Sequence, residues 1–68
     1  MGLLTQTEKR LIGMLRDIWD DKEFVLGVMN DLETDEERQA VIDYIKDNEE
    51  ATTEDIVLLS LNIDLTRK

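Results

Sequence analysis

The sequence predicts an all-α fold, a small bundle of four short helices in a single domain over residues 1–68. Three observations lead there. The chain contains no proline, so nothing in it forbids helix at the level of the backbone. At four places a side chain able to cap a helix precedes acids suited to a first turn. After each such start, apolar residues recur three and four positions apart, the period of one helix face.

The first helix starts at Thr5. Thr5 and Glu8 have capping-box spacing, in which hydroxyl and carboxylate each satisfy an amide that the helix leaves unpaired. Leu11, Ile12, Leu15, Ile18 and Trp19 then share one stripe, which places Trp19 in the core. Asp20 and Glu23 repeat the device with aspartate as the cap, and Trp19 and Phe24 stand where a hydrophobic staple is expected. The second stripe is Phe24, Val25, Val28, Met29 and Leu32, with a stop near Asn30 and Asp31. The short connection predicts that helices one and two form a hairpin. Thr34 with Glu37 opens the third helix, Asp35, Glu36 and Glu37 lie in its first turn, Val41, Ile42 and Ile45 form its apolar face, and Asn48 is its expected end.

The fourth element has two readings. Thr52 or Thr53 is placed to cap a helix, with Glu54 and Asp55 in its first turn. At 100° per residue Ile56, Leu59 and Ile63 share one face, and Leu58, Leu61 and Leu65 share another with Val57 on its border. Read at period two, Leu59, Leu61, Ile63 and Leu65 alternate with Ser60, Asn62, Asp64 and Thr66, the pattern of a half-buried strand. The cap and the acidic turn favour the helix. The strand would give three helices plus a C-terminal strand paired with a second chain, since a lone strand here has no mate.

Either way, residues 56–65 carry more apolar side chains than a core of this size covers. A chain of 68 residues with no cysteine has neither a disulfide nor, lacking histidine as well, the usual zinc ligands to supplement a small core. Self-association remains, most simply as a dimer. The face of Leu58, Leu61 and Leu65 is therefore the candidate interaction surface. The alternative is that the other three helices cover the fourth on all sides. Leu26, opposite the stripe of its own helix, and Gly13, on the polar side of the first, join the candidate set. A glycine there weakens the helix by about 1 kcal/mol relative to alanine, which a close backbone approach would explain.

The formal charge of −9 is concentrated. Residues 20–55 hold 14 acids against Lys22, Arg38 and Lys46, while the two flanking segments are each at +1. That balance opposes direct contact with a phosphate backbone, which is bound through cations. It suits a solvated, solubilising surface, or one that mimics nucleic acid and docks on a protein with a basic face. Crowded carboxylates are also expected to repel one another, so that mild acidification stabilises the fold.

Catalysis has little to work with. With no histidine and no cysteine, the commonest general base and the thiol nucleophile are missing. Ser60 is the single serine and has no evident base beside it. The glycines form no phosphate loop, and NDLETDEERQAV lacks the central glycine and final glutamate of an EF-hand loop. The expected protein is thus a non-catalytic interaction or regulatory module with no cofactor and no metal. The sequence contains no apolar run of membrane-spanning length and no signal-peptide pattern, so a cytoplasmic location and no membrane contact are expected.

Residues 34–63, TDEERQAVIDYIKDNEEATTEDIVLLSLNI, resemble the first two helices of a winged-helix or helix-turn-helix domain. Val41, Ile42 and Ile45 would then pack against Ile56 and Leu59. The resemblance implies a helical hairpin and, as an alternative function, a degenerate transcription regulator. It assigns no DNA-contacting residue, because the segment is strongly acidic.

Overall fold

A computed structural model describes residues 4–67. The chain forms four helices: α1 (Gln6–Ile18), α2 (Lys22–Asp31), α3 (Asp35–Asp47) and α4 (Thr53–Arg67). Among the described residues there is no strand. The period-two reading of the C-terminal segment is overturned, and the cap explains why. Thr52 Oγ1 accepts from Asp55 N at 3.2 Å, and Asp55 Oδ2 accepts from Thr52 N at 3.1 Å, a reciprocal pair that commits the chain to helix before the alternation begins.

The capping boxes at Thr5–Glu8 and Thr34–Glu37 form as expected. The cap of α2 lies one residue later than expected. Asp21, not Asp20, accepts from the Glu23 and Phe24 amides at 2.9 and 3.1 Å, and Asp20 pairs with Arg16 across one turn at 3.1 Å. That shift removes Trp19 and Phe24 from staple positions. Their rings still meet, with centroids 5.6 Å apart and planes 35° from parallel. Trp19 is half exposed and Ile18 sits at the surface, so the α1 stripe enters the core only at Leu11 and Leu15, with Ile12 at its edge.

One apolar cluster joins all four helices: Leu11 and Leu15 of α1, Phe24, Val25 and Val28 of α2 with Leu32 just beyond it, Val41 and Ile42 of α3, and Ile56 of α4. The pairing within it differs from the expected hairpins. α1 packs chiefly on α3 and α2 on α4, and consecutive helices touch less extensively. Trp19, Asp21 and Leu32 are all extended, and no described residue has a positive φ. None of these ends carries the left-handed residue that closes many helices, and the principal neighbour of each helix is the next but one.

Polar contacts fix this arrangement. At one end Thr5 Oγ1 donates to Asp35 Oδ1 at 3.0 Å, tying the start of α1 to the start of α3. Arg38 bonds Asp35 at 2.7 Å and donates to the Leu32 and Glu33 carbonyls. Close by, Arg67, in the last turn of α4, donates to Glu37 in that same first turn of α3 and to the Asp31 carbonyl at 3.4 Å. A guanidinium there meets the negative end of the α2 dipole.

Candidate interaction surface

The two faces of α4 are separated by their burial. Ile56 is fully buried, and Val57, Leu59 and Ile63 pack partly against the core. On the outer side Leu58, Leu61 and Leu65 are 57, 41 and 69 % exposed. The helix is therefore not covered on all sides by the rest of the protomer. Glu54 lies four residues before Leu58, so it continues the same stripe, and both Glu54 and Asp55 are exposed.

The orientation of α4 depends on a residue the sequence reading set aside. Ser60 is fully buried; its hydroxyl lies 3.0 Å from Asp31 Oδ2 on α2 and 2.9 Å from the Val57 carbonyl. A base thus stands beside the serine after all. The hydroxyl is sealed from solvent, however, and its role is to lock α4 to α2. With Ser60 turned inward, Leu58 and Leu61 face outward while Leu59 stays against the core.

The C-terminal turn is held by Glu37. Its carboxylate accepts twice from Arg67 Nη1, at 2.7 and 2.8 Å, and from the Glu33 and Thr34 amides at 2.7 and 3.2 Å. Asp64 and Glu33 pair with the same guanidinium. The Arg67 bonds first, and the Glu33 amide next, hold the Glu37 carboxyl below its ordinary value of 4.5. For this group the expected rise from crowding is reversed, because a cation reaches into the acidic cluster. Neither Arg38 nor Arg67 was singled out by sequence pattern. Their local partners, Asp35 and Asp64 at i−3, were legible from spacing, but the contacts across helices were not.

Leu26 and Gly13 fall in different settings. Leu26 is 49 % exposed and forms one wall of an open trough between α1 and α2, lined by Ile12, Arg16, Asp20, Lys22, Val25 and Leu26 and enclosing about 410 Å³. Gly13 is exposed, and a Cβ built there meets nothing within 4 Å. No backbone of this chain approaches it, so the close-contact explanation finds no support within the protomer. A wider depression at the α3–α4 turn is lined by Asp47, Glu49, Glu50 and Asp55 beside Tyr44 and Lys46. Among the described residues no group of three or more acids is placed to hold a metal ion, and no helix is long and apolar enough to cross a membrane.

Compared with protein-family models, with curated proteins and with solved structures, the chain finds no match in any of the three.

Proposed function

We propose that the protein is a non-catalytic interaction module that self-associates through α4. One observation carries this reading: Leu58, Leu61 and Leu65 form a continuous outward apolar stripe on a helix whose opposite face is fixed by Ile56 and Ser60. The helix cannot rotate to hide the stripe without unburying Ile56 and breaking the bond to Asp31. A row of leucines held outward by the fold itself is the kind of patch that another protein surface covers. A second copy is the simplest source of that surface, and it would supplement the small core of a chain without disulfides.

Sedimentation equilibrium of the wild type and Leu61→Glu tests the reading. The wild type should show mass above the protomer as concentration rises. Leu61→Glu should remain monomeric with unchanged far-UV circular dichroism, since the site is partly exposed and glutamate is a good helix former. Equal masses for the two proteins up to millimolar concentration would refute it.

A further inference from the structure

Resting on that reading, we infer that the α4 stripe of one copy docks in the α1–α2 trough of another, so that the association is head-to-tail rather than stripe against stripe. Two arguments support the pairing.

The first is area. Aromatic side chains, which are larger than leucine, bury about 150–250 Å² each. Three leucines at roughly half exposure therefore present well under half of the about 800 Å² that each partner gives to a standard interface. Two such ridges meeting face to face touch along a line. A ridge set into an open trough lined by Ile12, Val25 and Leu26 is covered on more of its surface than a ridge laid against an equal ridge, and the trough's own apolar surface is buried with it.

The second is charge. The stripe begins with Glu54, with Asp55 beside it and Glu49 and Glu50 just upstream, all exposed. The trough is rimmed by Arg16 and Lys22 against Asp20. Asp20 is already engaged by Arg16, whereas Lys22 is in no ion pair among the described residues. Among the residues lining the trough, Lys22 is the one cation outside an ion pair, although Asp17, Asp21 and Glu23 flank it in sequence, and the stripe is an apolar ridge with an acidic end. Opposite potentials across an interface steer encounter and fix register. A head-to-tail contact that uses two different surfaces also leaves one of each free, so the assembly grows beyond a dimer unless its rotation closes a ring.

Complementation between two variants decides the matter. Leu61→Glu destroys the stripe and keeps the trough; Leu26→Glu destroys the trough and keeps the stripe. Both sites are partly exposed, and circular dichroism checks that both variants fold. The expected result is that each variant alone is monomeric and that their mixture forms a one-to-one dimer and nothing larger, while the wild type grows past the dimer with concentration. If Leu26→Glu associates as the wild type does, the stripe is covered by something other than the trough; the docking geometry is then wrong and self-association through α4 stands. If both variants are monomeric and the mixture stays monomeric, the two surfaces do not meet and the inference is overturned. A wild type that is itself monomeric at all concentrations overturns the inference and the self-association reading together.

Discussion

Trp19 carries the clearest consequence for a single residue. Its ring contacts Phe24 but is half exposed, so its removal costs part of an aromatic contact and about half of a side-chain burial. Trp19→Ala should therefore lower the unfolding free energy by about 1–2 kcal/mol. Leu15, fully buried in the cluster, should cost about 2–5 kcal/mol when truncated to alanine, because a cavity remains. Urea denaturation of the two variants orders them, and a Trp19→Ala loss equal to or above that of Leu15→Ala would place the indole in the core. The sequence pattern put it there because Trp19 continues the stripe of α1. The helix ends at Ile18, and beyond that point the 3.6-residue period no longer says where a side chain faces.

For the elements, the starts were more legible than the neighbours. Two of the four caps were readable outright from Thr5 and Thr34 and a third as either Thr52 or Thr53, of which Thr52 is the cap, since a cap is a local bond between residues three apart. The fourth missed by one position because two adjacent aspartates offer the same chemistry. The inner and outer faces of α4 were also legible, although of Ile56, Leu59 and Ile63 only Ile56 is fully buried and the other two are half-buried. Ser60 and Arg67 were not, because their partners Asp31 and Glu37 lie 29 and 30 residues away and no local period points to them. Glu37 joins the start of α3 to the end of α4, and this contact gives a pH signature. Its folded pKa lies below the ordinary 4.5, so its contribution is fully present above that value and is lost as pH falls through the lower folded one. The difference in thermal midpoint between wild type and Glu37→Gln should stay constant from about pH 7 to 5 and shrink below about 4.5. A difference that widens on acidification would mean that repulsion from Glu33 and Asp64 outweighs the Arg67 pair.

Across the whole molecule, one physical conflict recurs. Fourteen acids between residues 20 and 55 repel copies of the chain, while in the proposed reading three outward leucines draw them together. The fold class followed from periodicity and caps alone. The pairing of α1 with α3 and α2 with α4 did not, because it joins residues far apart in sequence and no local period points to it. The central claim is that the outward face of α4 is covered by another copy while the inner face is a permanent core. Methyl-resolved NMR over a dilution series from millimolar to low micromolar protein reads both faces in one sample. The account predicts that the methyl resonances of Leu58, Leu61 and Leu65 move with dilution while those of Leu11, Ile42 and Ile56 hold still. Resonances of the outer leucines that stay fixed across the whole series would contradict it.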